Sequence, residues 1–246
     1  MRPSWNNRSS CDAMSRPHVS RNTVFGPFIR DSTFYPYRTV PVEDISWSFK
    51  GSFSISGKWK CIIDLFNEDA EEGNDTFYDQ LYLWVRPSED NLHFIKEHTV
   101  NAGCCQLVSI GCGSGLLEWL IQTATGLEVT CIEVDRSWWE SSYAPHVFLP
   151  LIYADEEHGS DITTNKNAAL LFCYFNNESA FSEYIRQYEG NCFIVIGPGG
   201  GRSTHTHPAP FNVKLESESA WKMEAFQEVQ HTKDFIAVYV KSQSLK

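Results

Sequence analysis

Three glycines, Gly111, Gly113 and Gly115, stand at alternate positions in "LVSIGCGSGLLEWL" (residues 107–120), and two acids, Glu133 and Asp135, follow in "GLEVTCIEVD" (residues 126–135). Glycines at this spacing remove every Cβ from the inner face of a turn. The backbone there can take positive φ and approach a ligand closely. A carboxylate at the carboxyl end of the next strand can accept hydrogen bonds from both hydroxyls of a ribose, and by residue type Glu133 and Asp135 both qualify. Farther along, "YFNN" (residues 174–177) offers a polar amide at a strand end, and "RSTHTHPAP" (residues 202–210) has His205 and His207 at H-x-H spacing. Two histidines without a third ligand nearby are a weak metal signal, and a polar loop is the better reading.

The flanking segments must position these groups. Residues 105–110 form an apolar, partly β-branched run of strand length. Residues 116–126 carry apolar positions at Leu116, Leu117, Leu120, Ile121 and Ala124, a helical period closed by Gly126. Strand, glycine turn and helix start together place free N–H groups and a positive dipole end at one point. Residues 129–132 predict a second strand, and ligands of open α/β sheets sit outside the carboxyl ends of strands at the switch in strand order. The dinucleotide fingerprint needs its third glycine five residues after the first, where this chain has Leu116, and no Gly-Lys-Ser/Thr follows for a P-loop.

The remaining order is alternating. Ser88 and Asn91 are cap-like before a helix with Leu92 and Ile95 on one face, and residues 146–155 and 167–177 predict the third and fourth strands. Residues 180–190 predict a helix stopped by glycine and residues 192–201 a fifth strand. "AWKMEAFQEVQ" and "DFIAVYVKS" predict a closing hairpin. Residues 23–66 are aromatic-rich with mixed periodicity, and residues 67–75, "NEDAEEGND", read as an acidic surface loop.

The chain has 246 residues, 42% of them hydrophobic, enough for one α/β domain with extensions. No apolar stretch reaches the ~20 residues of a membrane helix, and no secretory signal is visible. The eight cysteines lack C-x-x-C pairing and read as buried reduced thiols of an intracellular protein. Six arginines against two aspartates give residues 1–40 a charge of +4, leaving −15 for the rest of a chain whose net charge is −11. Such an acidic body repels a polyanion, so extended nucleic-acid contact is not expected. Residues 1–22 read as a flexible Arg-rich arm, a possible docking surface for a protein partner. Its low acid content keeps a mitochondrial address open beside a cytoplasmic one.

The GxGxG spacing of "VSIGCGSG" resembles motif I of class I S-adenosylmethionine (SAM)-dependent methyltransferases. The resemblance covers residues 80–241. It implies a Rossmann-like α/β sheet, mostly parallel with an antiparallel C-terminal hairpin, preceded by an extension over residues 23–80. It also implies SAM as cofactor and a small-molecule or protein methyl acceptor. The cofactor residues it implies are Gly111, Cys112, Gly113, Gly115, Val134, Phe175 and, after the third strand, Asp155. In the family pattern the acid directly closes the second strand, which selects Glu133 for the ribose and leaves Asp135 as a helix N-cap. Trp138 and Trp139 then read either as adenine walls or as helix core.

"WVRPSE" (residues 84–89), "YEG" (188–190) and "IVIGPGGG" (194–201) are similar to a eukaryotic branch of methyltransferase-like proteins, and place Trp84 with Asn176 at the substrate pocket. Two departures stand out. "YFNN" lacks the diproline that aims the acceptor in amino-methylating relatives, so Asn176 and Asn177 also read as turn and cap residues. Ser109 stands where many active members carry an acid. A catalytically silent fold that binds a partner or senses SAM is the competing expectation. No catalytic triad is expected either way, because a sulfonium already activates the methyl group and the protein has mainly to align the acceptor.

Overall fold

In the computed structural model, the residues described are 58–72, 83–154, 163–200, 204–215, 220–230 and 232–242. Asp155, the Arg-rich arm and residues 23–57 of the extension lie outside them.

Seven strands form one sheet in the order β3-β2-β1-β4-β5-β7-β6. They are β1 (Gln106–Ile110), β2 (Glu128–Glu133), β3 (Leu151–Tyr153), β4 (Ala168–Cys173), β5 (Cys192–Pro198), β6 (Trp221–Val229) and β7 (Asp234–Lys241). The first five run parallel, and β7 inserts antiparallel between β5 and β6, pairing Cys192 with Val240 through Pro198 with Asp234. The order reverses between β1 and β4. This is a Rossmann-like α/β sheet, mostly parallel with an antiparallel C-terminal hairpin as the resemblance implies, with its switch point at the carboxyl end of β1.

Alternate strand residues feed two separate cores, as the two-residue period requires. Leu107, Ala169, Leu171, Ile194, Ile196, Ile236 and Val238 face one side. There they meet helices α1 (Lys58–Glu72), α2 (Glu89–Asn101) and α3 (Leu116–Thr125). Val108, Leu170, Phe172, Phe193, Val195 and Ala237 face the other side, under Phe181 of α5 (Glu178–Gln187). Phe172 packs edge-on to Phe181 at 4.9 Å with no exposure. Truncating a buried ring of this kind costs about 3–5 kcal/mol.

Local chemistry fixes the helix ends. At α2, Asn91 N–H donates to Ser88 Oγ (3.2 Å) and Ser88 N–H donates to Asn91 Oδ1 (2.9 Å), a reciprocal capping box. The Asn91 amide then reaches Gln227 Oε1 at 2.7 Å, tying the helix start to β6. Helix α3 is closed by Gly126 at φ 72°, a left-handed cap. Asn177 caps α5, its Oδ1 accepting from Ala180 N–H at 3.0 Å.

Several sequence expectations need correction. Residues 67–72 are not loop: they continue α1, because Glu and Ala are good helix formers and Trp59, Ile63 and Phe66 anchor the preceding turns in the core. The third strand is only three residues long. Helix α5 ends at Gln187 and not at Gly190. Tyr188 turns out of the helix with ψ 119° and its hydroxyl donates to Cys192 O at 2.8 Å and also contacts Ala168 O. A Cβ at residue 190 would sit 2.2 Å from that hydroxyl oxygen, so glycine is required there by the tyrosine rather than as a helix stop. All seven cysteines among the described residues are free thiols, but Cys61 and Cys105 are exposed, not buried. Among the described residues no helix is long and apolar enough to cross a membrane.

Candidate functional site

The turn after β1 is built from backbone. Gly111, Gly113 and Gly115 have φ of 72°, 64° and 75°, the left-handed region that side chains rarely adopt. Gly111 N–H and Cys112 N–H both donate to Ile132 O (2.9 and 3.3 Å), pinning the turn to β2. A Cβ at Gly113 would face the Trp139 ring at 3.9 Å. At Gly115 a Cβ would press between Leu149 N at 3.4 Å and Cys131 Sγ at 3.5 Å. The first position therefore has room beside the Trp139 ring, and the second lies in van der Waals contact with Leu149 and Cys131.

Glu133 reaches across from the end of β2 into this turn. Its Oε1 accepts from Gly113 N–H at 2.7 Å and its Oε2 from Val134 N–H at 3.1 Å. Only 3% of the residue is exposed. Burial raises its pKa above the usual carboxylate range; the two backbone donors and the Trp139 indole pull it back, and Asp135 pushes it up again. An ionised carboxylate offers about four acceptor sites, so these donors leave little room. Of these donors only the Trp139 indole belongs to a side chain.

Asp135 is the N-cap of the short helix α4 (Arg136–Trp139): its Oδ1 accepts from Trp138 N–H at 3.0 Å and from Ser137 Oγ at 2.7 Å. Trp138 is 40% exposed and Trp139 half-buried, so neither is helix core. Val134, 43% exposed, stands at the rim. Cys112 lies in the turn, but burial and the neighbouring Cys131 raise its thiol well above its ordinary pKa, which disfavours a nucleophilic thiolate.

Sequence reasoning passed over Glu118. On the first turn of α3 it is 1% exposed, and its Oε1 accepts from Ser109 Oγ at 2.6 Å. Its Oε2 is buried with no hydrogen-bond partner. Burial drives its pKa to about 7, against the Ser109 hydrogen bond and with Glu133 adding to the rise. An acid is thus present behind the turn, brought from the helix to Ser109, the strand position where the resemblance implies an acid. The available signal was a lone charge inside "LLEWLI", a helix apolar on all sides that had no wet face to give it.

On the β4 side, Tyr174 takes φ 49°, uncommon for a bulky residue. Its ring stacks on Trp84 at 5.3 Å, and its hydroxyl donates to Asp234 Oδ1 at 2.7 Å. Phe175 turns the other way and is 5% exposed, edge-on to Phe172, so its ring belongs to the core rather than to an open face. Asn176 is exposed and forms an isolated parallel bridge with His207: His207 N–H donates to Phe175 O (3.0 Å) and Asn177 N–H donates to His207 O (3.1 Å). Trp84 and Asn176, expected together, are therefore tied to different partners, Tyr174 and His207. Among the described residues no group of three or more His, Cys, Asp or Glu side chains is placed to hold a metal.

No family model matches the sequence, and no curated protein matches it. Solved structures with a similar fold are remote. A magnesium protoporphyrin IX methyltransferase from Synechocystis with bound SAM is 11% identical, with a TM-score of 0.38 over 78% of this chain and all of that one. A putative caffeoyl-CoA O-methyltransferase from Staphylococcus aureus is 12% identical, with a TM-score of 0.40 over 81% of this chain and 96% of that one. An rRNA methylase from Escherichia coli is 10% identical, with a TM-score of 0.39 over 81% and 82%. At such distances no residue role or substrate transfers.

Proposed function

We propose that the chain binds SAM at the turn between β1 and α3, beside the end of β2, and methylates a small-molecule or protein acceptor. The observation that carries this reading is Glu133, a buried carboxylate held 2.7 Å from Gly113 N–H at the switch point of the sheet. In this reading Glu133 accepts the ribose hydroxyls, and the Gly111 to Gly115 backbone, with Cys112, backs the ribose and the amino-acid tail. Val134 is proposed beside the adenine, and Asp155 for the adenine amino group.

The turn separates this ligand from a dinucleotide. Glu133 takes up the Gly113 N–H that a pyrophosphate would need, which opposes such a ligand. When bound, SAM supplies a methyl group already activated by its positive sulfur. The chain's remaining work is to align an acceptor, exclude water and take up a proton where the acceptor carries one. Asn176, at the end of β4, is proposed to accept a hydrogen bond from that acceptor.

Calorimetry with SAM and with S-adenosylhomocysteine tests the first step, and micromolar affinity is expected. Absence of heat at millimolar ligand would leave a silent scaffold. Mass spectrometry of reaction mixtures then separates an enzyme from a binding-only protein.

A further inference from the structure

Behind the glycine turn lies a buried carboxyl without a counter-charge. Glu118 follows Gly115 by three residues, on the first turn of α3. Its donors are the Ser109 hydroxyl and its own backbone N–H, and its Oε2 has no partner. Among the described residues no Lys, Arg or His pairs with it; the charged group that acts on it is Glu133, another acid. The elements around it bring no cation either. From α1, Trp59, Ile63 and Phe66 enter the core that α3 shares, and from α2 Lys96 reaches Thr125 O at 2.5 Å, at the other end of α3. The sheet register relates this carboxyl to the turn. Ser109 pairs with Leu171, and continuing that register brings Gly111 beside Cys173 at the end of β4. Burial, then Glu118, then Asp234 of β7 raise the Cys173 thiol well above its ordinary pKa. Glu118 also acts on Cys112, within the turn, whose thiol burial and Cys131 raise more strongly. Bonded to β1 and acting on both Cys112 and Cys173, Glu118 therefore lies behind the switch point of the sheet. A carboxylate so enclosed is held ionised by a cation or by several donors, and this one has two neutral donors and an idle oxygen.

We propose that Glu118 reads the charge of the cofactor: it holds a proton in the absence of ligand and ionises when the positive sulfur of SAM arrives at the switch point. The proposal rests on the SAM reading above. The sulfur, and not the amino-acid tail, is the charge it reads because Glu118 acts toward β4, the side on which Asn176 is proposed to meet the acceptor. The methyl-bearing sulfur must face that acceptor. SAM and its product S-adenosylhomocysteine share adenine, ribose and tail, and differ by the methyl group and the charge on sulfur. An acid that ionises beside that sulfur favours the charged ligand over the neutral one. Its O–H proton passes to solvent as SAM binds, and the carboxylate takes a proton back once transfer leaves the sulfur neutral. Glu118 is thus a specificity residue that helps the spent product leave.

Calorimetry on the full chain at about pH 6.5, in buffers of different ionisation enthalpy, counts the protons that leave as SAM binds. At that pH the α-amino group of either ligand is already protonated, since such groups titrate near 8. A close opposite charge lowers a carboxyl pKa by roughly 1–3, and Glu118 starts at about 7. Roughly half a proton or more should therefore leave with each SAM bound, and SAM affinity should rise about fourfold to tenfold between about pH 5.5 and pH 7. S-adenosylhomocysteine should release far less and show a flat profile. Glu118→Gln keeps a partner for Ser109 and cannot ionise. It should abolish the release and flatten the SAM profile, with S-adenosylhomocysteine affinity within about twofold of wild type. Equal heats in every buffer, or release that persists in Glu118→Gln, overturn the proposal. Equal proton release by S-adenosylhomocysteine overturns it as well, and that comparison needs no variant. Failure of the SAM reading itself shows differently, as no saturable heat with either ligand, and removes this proposal with it.

Discussion

The carboxyl end of the sheet has two unlike halves. At β1 and β2 the working atoms are backbone N–H groups and buried acids, fixed by hydrogen bonds to one another. At β4 and β5 they are exposed imidazole and amide side chains, joined through the backbone bridge of Asn176 and His207. A group of constant shape is best held by backbone, which no side-chain rotation can misplace. A variable acceptor is best met by side chains, which can be exchanged without disturbing the fold. The two halves should therefore respond to substitution differently, by loss of binding on one side and by change of partner on the other.

The largest effect is expected at the glycine turn. Gly113→Val puts a branched side chain at φ 64°, a left-handed position costing an L-residue on the order of 1–2 kcal/mol. It also fills the space between the turn and Trp139, where the proposed ribose lies. SAM binding should vanish while thermal unfolding stays cooperative. Retained SAM affinity would show that the turn is a structural crossing, and the contrast between the halves would collapse.

Glu133→Ala comes next. It removes a charge-assisted contact worth on the order of 1.5–3 kcal/mol, a loss of roughly tenfold to more than a hundredfold in SAM affinity. Because the Trp139 indole also leans on Glu133, its fluorescence should change on SAM binding in wild type. A silent tryptophan signal together with unchanged affinity would place the ribose elsewhere.

Glu118 sharpens the comparison through pH. Its pKa is raised from 4.5 to about 7 by burial, so the folded chain holds that proton more tightly than the unfolded chain does. The stability this contributes is complete below about pH 4.5 and is lost as pH rises through about 7. Over that window the loss is on the order of 3 kcal/mol. Glu118→Gln keeps a group that can pair with Ser109 and cannot ionise. Its melting temperature should fall less than that of wild type between pH 5 and pH 8. Parallel profiles for the two proteins would mean that Glu118 is not the buried titrating group.

Much of this was legible in the chain, and unevenly so. The parallel strands and α3 were plain because their apolar periods are strong and glycine marks both ends of the turn. The Ser88 cap and the Asp135 cap were legible because capping is local chemistry. The continuation of α1 past residue 66 was hidden by acidic composition, which also suits a loop. Phe175 was misjudged because a strand end shows the sequence no indication of which face the next residue takes, and here Tyr174 at φ 49° turns the chain. The pairing of Glu118 with Ser109 and the Asn176–His207 bridge were hidden for a related reason. Each joins segments far apart in sequence or in fold: Ser109 to a helix nine residues on, and the end of β4 to a loop beyond β5.

The smallest predicted effect belongs to Asp135, and it tests how sharply the cradle is bounded. Asp135 lies two residues from Glu133, carries the same charge and is the other acid that residue type alone allows for the ribose. In the structure its carboxylate is spent on Trp138 N–H and Ser137 Oγ, at an exposed helix start. Asp135→Ala should therefore cost a cap, about 1 kcal/mol of stability at most, and leave SAM affinity within about twofold of wild type. Because α4 is a single turn, the loss should appear chiefly as faster amide exchange at Trp138 and Trp139 rather than as a lower melting temperature. The paired measurement with Glu133→Ala is decisive. If Asp135→Ala weakens SAM more than Glu133→Ala does, the diol sits two residues farther along, and Glu133 is a brace for the turn alone.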